Sequence, residues 1–76
     1  ARKYMMVEYD IPQALLEQAC LITPGIESPT VAPLNKEGWV AVKAMVLSSE
    51  VNQIMDRLKQ LGANGIIAMK ISSCRL

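Results

Sequence analysis

The stretch Thr23-Pro24-Gly25-Ile26-Glu27-Ser28-Pro29-Thr30-Val31-Ala32-Pro33-Leu34 leads through Asn35-Lys36-Glu37-Gly38 into Trp39-Val40-Ala41-Val42-Lys43-Ala44-Met45-Val46. It reads as stop, strand, turn, strand. Pro24-Gly25 ends the helix that precedes it. Residues 28–34 are then short and extended. Pro29 and Pro33 confine them to a sheet edge or a bulge, because each lacks the N–H that a central ladder needs. Residues 35–38 are the turn, with glycine available for positive φ. Residues 39–46 are the strongest strand: Val40, Val42, Ala44 and Val46 make one face, and Trp39, Ala41, Lys43 and Met45 the other. Two consecutive strands therefore occupy the middle of the chain.

Working outward, residues 4–9 read as another strand. Met5, Val7 and Tyr9 share one face, and Tyr4, Met6 and Glu8 the other. Asp10 is expected at a helix N-cap, with Pro12 in the first turn and the helix running to about residue 22. Leu15, Leu16, Ala19, Cys20 and Ile22 supply its apolar stripe. Downstream, Ser48 or Ser49 is expected to cap a second helix. Val51, Ile54, Met55, Leu58 and Leu61 repeat at helical spacing, and Gly62 is a suitable C′ residue. Residues 65–71 are the last strand. The order β-α-β-β-α-β predicts an α+β, ferredoxin-like sandwich: a four-stranded antiparallel sheet with both helices on one face. The other face stays open and displays Trp39 and Met45. An apolar open face on so small a domain reads as an interface.

Seventy-six residues make one domain, 1–76. A hydrophobic content of 51% exceeds what a chain this short can bury alone, which predicts a partner or a second copy. The chain opens on Ala1 and not Met, which suggests a piece of a longer protein. Its start, Ala1-Arg2-Lys3-Tyr4, leads straight into a strand-like run, with no signal-peptide pattern. Net charge is +1, which argues against nucleic-acid and membrane-surface partners. RNA-recognition modules share this strand order, but they stack bases on aromatics, and here there is no Phe. No apolar run approaches the ~20 residues of a membrane span.

Catalytic chemistry finds little support. The chain has no His, no phosphate-loop glycines and no nucleophile elbow. Cys20 and Cys74 fit no zinc spacing and read as reduced cytosolic thiols filling small apolar spaces. Glu8 and Asp10 share a strand face and suit a cation or an amine, against the plainer roles of exposed charge and helix cap. Ser28 and Thr30 are hydroxyls beside prolines, open to ligand bonding or to local turn bonding.

Tyr4-Met5-Met6, Tyr9-Asp10-Ile11-Pro12, the 23–34 stretch, Gly38-Trp39-Val40-Ala41-Val42 and Leu61-Gly62-Ala63 together resemble the C-terminal regulatory domain of long-form ATP phosphoribosyltransferase. The Tyr-Asp-x-Pro segment and the Cys74-Arg75-Leu76 ending look most like its actinobacterial branch. The resemblance runs in order along nearly the whole chain. The Pro-Gly-x-x-Ser-Pro-Thr segment is its most specific part.

That resemblance implies several things. The family's enzyme is a cytoplasmic transferase that opens histidine biosynthesis. Its catalytic domains, which use magnesium, precede this region, so the fragment itself is expected to be inactive and to carry no cofactor. The domain is expected to bind L-histidine for feedback inhibition and to assemble with neighbouring copies. Carried over by position, Asp10 and Thr30 would hold the imidazole and Ile26 would line the pocket. Ala44 and Met45 would offer backbone groups to the carboxylate or ammonium, and Gly65 would close the site. The rival readings are a module that only drives oligomerisation and a free-standing small-molecule sensor of the same fold.

Overall fold

The computed structural model describes residues 3–26 and 28–72. Glu27 of the proline stretch and Cys74, Arg75 and Leu76 at the chain's end lie outside the described residues. Four strands form one antiparallel sheet in the order β2-β3-β1-β4. They are β1 (Tyr4–Pro12), β2 (Thr30–Pro33), β3 (Trp39–Leu47) and β4 (Asn64–Lys70). Helix α1 (Leu16–Ile22) follows a single 3-10 turn (Gln13–Leu15), and α2 (Val51–Leu61) follows another (Ser48–Glu50). The expected β-α-β-β-α-β order and ferredoxin-like arrangement are present.

The sheet's inner face follows the period-2 reading. Val7, Tyr9 and Ile11 of β1 and Val40, Val42, Ala44 and Val46 of β3 are buried. Ala19 of α1 and Val51, Ile54 and Leu58 of α2 close over them, with Leu15, Leu16, Met55 and Leu61 at the margin. Burying each large aliphatic side chain contributes about 1.5–3 kcal/mol, the main stabilising term in a domain this small. Solvent takes Asp56, Arg57, Lys59 and Gln60, the expected polar face of α2.

One polar cluster interrupts the apolar layer. Thr23 is fully buried at the end of α1. Its hydroxyl donates to the Ala19 carbonyl at 3.3 Å. That uses its one proton, so the Tyr9 hydroxyl, 2.7 Å away, donates to Thr23 Oγ1. Burial raises the Tyr9 phenol above its ordinary value of 10.0; the Thr23 bond pulls down against this, and the nearby Cys20 thiol adds to the rise.

Three local expectations are corrected. Asp10 is no helix cap: it lies within β1, opposite Ala41 on one side and Asn64 on the other. The strand continues because Ile11 is fully buried; a turn at Asp10 would withdraw that side chain from the core. Extended backbone at Pro12 (ψ 137°) then carries the chain into the 3-10 turn, and the Gln13 N–H donates to the Gly38 carbonyl at 2.8 Å. Neither Ser48 nor Ser49 caps α2 through its side chain; the 3-10 turn they begin leads into the helix through backbone bonds. The last strand begins at Asn64, one residue earlier than expected.

Two glycines act as the sequence suggests. Gly62, at φ 121°, ends α2 with its N–H shared between the Leu58 and Lys59 carbonyls. Gly38, at φ 80°, closes the β2–β3 turn, where Lys36 Nζ sits 4.2 Å from the centre of the Trp39 ring.

Candidate functional site

The face of the sheet away from the helices is built in rows by the strand registers. Met45, Met6 and Met69 stand opposite one another on β3, β1 and β4. The next row crosses the whole sheet: Thr30, Lys43, Glu8 and Ile67. Beside it lie Ala32, Ala41, Asp10 and the start of β4. Pro12 and Trp39 close the series. Alternation puts these residues on one side because their neighbours are needed in the core.

The third row is shaped by an irregularity in β4. Between the Glu8–Ile67 and Asp10–Asn64 pairs, β1 advances two residues and β4 three. The additional residue makes a bulge opposite Tyr9, where Gly65 adopts φ 59°. A glycine in the left-handed region is the usual device for such a bulge. A Cβ at Gly65 would stand 3.5 Å from Asp10 Oδ2, so the carboxylate reaches toward bare backbone at this point.

These rows enclose a groove of about 490 Å³ lined by Glu8, Asp10, Thr30, Ala32, Ala41, Lys43, Gly65 and Ile67, with parts of Tyr9 and Val42. Alanines 32 and 41 give it a low floor. Glu8, Asp10, Lys43 and Thr30 ring that floor with two carboxylates, one ammonium and one hydroxyl. The arrangement suits a small polar solute carrying both charges and a hydrogen-bonding group. Among the described residues no three Asp, Glu, Cys or His side chains gather as metal ligands.

Of the residues singled out from the sequence, Asp10, Thr30 and Gly65 meet in this groove from three different strands. Ile26 does not line it; it is exposed in the segment before β2. Ala44 turns its side chain into the core, and Met45 stands in the methionine row beyond the charged one. The β2 ladder ends at the Thr30–Lys43 pair, so Ala44 and Met45 lie past its end. Lys43 and the two floor alanines were not singled out. The signal for Lys43 was present: it shares a strand face with Ala41 and Met45, and a hairpin turn at residues 35–38 brings it opposite Thr30.

Ser28 is exposed and absent from the groove, and Cys20 is a free, half-buried thiol in α1. No helix among the described residues is long and apolar enough to cross a membrane.

Comparison with known proteins agrees with the whole length of this chain. Over all 76 residues it is 59% identical to an ATP phosphoribosyltransferase of Salinibacter ruber, covering 27% of that protein. It is 57% identical, again over 76 residues and 27% of the relative, to an ATP phosphoribosyltransferase of Salinispora tropica. With one of Nocardia farcinica it shares 57% identity over 75 residues, 26% of that protein. Most of the related sequences are actinobacterial. The chain spans about a quarter of the length of the curated relatives it matches. The family described as HisG, C-terminal domain, matches residues 1–73, which takes in every strand and helix and the entire groove, and the chain belongs to that family.

Proposed function

We propose that this chain is the C-terminal regulatory region of an ATP phosphoribosyltransferase, the enzyme that opens histidine biosynthesis, and that it binds L-histidine as a feedback effector. The supporting observation is the convergence of Asp10, Thr30 and Gly65 in one groove on the open sheet face. Asp10 accepts from an imidazole N–H, the Thr30 hydroxyl bonds the other ring nitrogen, and the Gly65 bulge leaves room for the ring edge. Leaving either ring nitrogen unpaired would cost about 1–3 kcal/mol, which discriminates against apolar look-alikes.

Every strand of the sheet contributes to the groove, which opens on the side away from the helices. A neighbouring copy closes that side, with Ile26 and the Ala44–Met45 backbone as its contacts around the ligand. Ligand and assembly are then linked: histidine inhibits because it favours one quaternary arrangement over another, with a coupling of about 1–3 kcal/mol. The phosphoribosyl transfer, its magnesium and its substrates belong to the catalytic domains of a cytoplasmic parent chain, and the region described contributes no chemistry.

Calorimetric titration of L-histidine into the full-length protein tests this reading. Saturable heat is expected, weakened about 10- to 100-fold by Asp10→Ala and less by Thr30→Ala. Equal heats for all three proteins would remove the proposed contacts. A second reading, a module that only drives oligomerisation, is favoured by the exposure of Ile67 and Met69 on the open face. Sedimentation separates the two, because such a module associates to the same extent with and without histidine.

A further inference from the structure

The row crossing all four strands holds two opposite charges that the ring contacts leave unassigned. Lys43 stands directly opposite Glu8 on β1 and directly opposite Thr30 on β2. Glu8 and Asp10 project from β1 on the same face, two residues and therefore about 7 Å apart. All four side chains line the groove. Lys43 is exposed and Glu8 half-buried. Neither side chain takes part in a hydrogen bond or ion pair with another described residue.

The charge pattern restricts the ligand. Two carboxylates and one ammonium repel a phosphate or a dicarboxylate. A simple amine leaves Lys43 unanswered, and a simple acid leaves Glu8 unanswered. A free α-amino acid answers both, and one with a polar ring also engages Asp10 and Thr30.

We propose that Lys43 and Glu8 determine specificity by reading the two main-chain charges of that amino acid. Lys43 Nζ donates to its α-carboxylate, Glu8 accepts from its α-ammonium, and Asp10 and Thr30 are left to the ring. The inference rests on the reading of the groove as a histidine site. It makes the row a filter that admits the free amino acid and rejects both its decarboxylated amine and its deaminated acid.

The test is a set of calorimetric titrations of the full-length protein with L-histidine, histamine and imidazolepropionate. Histamine lacks the carboxylate and imidazolepropionate lacks the ammonium. The wild type should prefer histidine to each by about 10- to 100-fold. Lys43→Met should weaken histidine by a similar factor and leave histamine unchanged, so the histidine/histamine ratio falls toward one. Lys43→Arg should keep most of that ratio. Glu8→Gln should collapse the histidine/imidazolepropionate ratio in the same way.

Because each ratio is read within one variant, a partial loss of folded protein does not imitate the effect. Wild-type ratios retained in both Lys43→Met and Glu8→Gln would overturn the assignment and leave the histidine site standing. A folded wild type that binds no histidine would instead overturn the reading of the groove, and this assignment with it.

Discussion

Strands β1 and β3 present Val7, Tyr9, Ile11, Val40, Val42 and Val46 to the helices, and Met6, Glu8, Asp10, Ala41, Lys43 and Met45 to the side without them. The two sets alternate along the same backbone, yet they answer to different demands. The inner set is aliphatic apart from Tyr9, whose hydroxyl is satisfied by Thr23. The outer set mixes charge, small residues and flexible thioethers. Once the helices hold the inner face, side chains opposite are released from packing and are available for recognition. The contrast implies that inner substitutions change stability and outer ones change binding.

The largest expected effect is Leu58→Ala. Leu58 is fully buried beneath the sheet, and its truncation should cost about 2–5 kcal/mol. For Ile67, 54% exposed on the other face, the same truncation should cost less than about 0.5 kcal/mol. Urea unfolding of both variants reads the difference directly. Similar losses at the two sites would mean that Ile67 is packed against something other than this domain and that the faces are less distinct than their side chains imply.

Gly65→Ala sits between the two faces. Its positive φ should cost about 1–2 kcal/mol in stability, and the new methyl would meet Asp10 Oδ2 at 3.5 Å. Both a lowered melting temperature and a weakened histidine titration are expected. A loss of stability with unchanged binding would detach the bulge from the groove.

Tyr9→Phe tests the one polar link within the inner face. It removes a buried hydrogen bond and leaves Thr23 its Ala19 partner, at a cost of about 1 kcal/mol. The pH dependence follows from the raised phenol. The folded state holds the proton more tightly than the unfolded state does. The stability this adds is complete below pH 10.0 and is lost as pH rises through the higher, folded value. The wild type should therefore lose stability above pH 10 more steeply than Tyr9→Phe. Parallel curves in denaturant titrations at stepped alkaline pH would contradict the burial of that hydroxyl.

The smallest effect is expected at the turn, where Lys36→Ala removes a cation from above the Trp39 ring and should cost about 0.5 kcal/mol. Tryptophan fluorescence during unfolding measures it, and salt should reduce the wild-type advantage.

The legible part of the sequence was what neighbours along the chain dictate. Alternation sorted the faces of β1 and β3, the i, i+3, i+4 spacing from Val51 to Leu61 drew α2, and Gly62 marked its end. The resemblance carried by the proline stretch selected Asp10, Thr30 and Gly65, which do share a groove. Asp10 carries the local signature of a helix cap, because capping preference is a local signal. The burial of Ile11 is not local, and it keeps the strand going through Asp10. Lys43, a single lysine on an alternating strand, looks in the sequence like an ordinary solvated charge. Its meaning depends on Glu8 and Thr30, far away in the chain and directly opposite in the sheet.

By itself, then, the order of residues determined the element types, which side chains share a face and where helices stop, since these depend on backbone dihedrals and periods of 2 and 3.6 residues. Only the tertiary structure decided which rows form across strands, where β4 bulges and which charges meet over the alanine floor. Those are matters of register, set by how the whole inner face packs, and a one-residue slip would have exchanged the groove for the core.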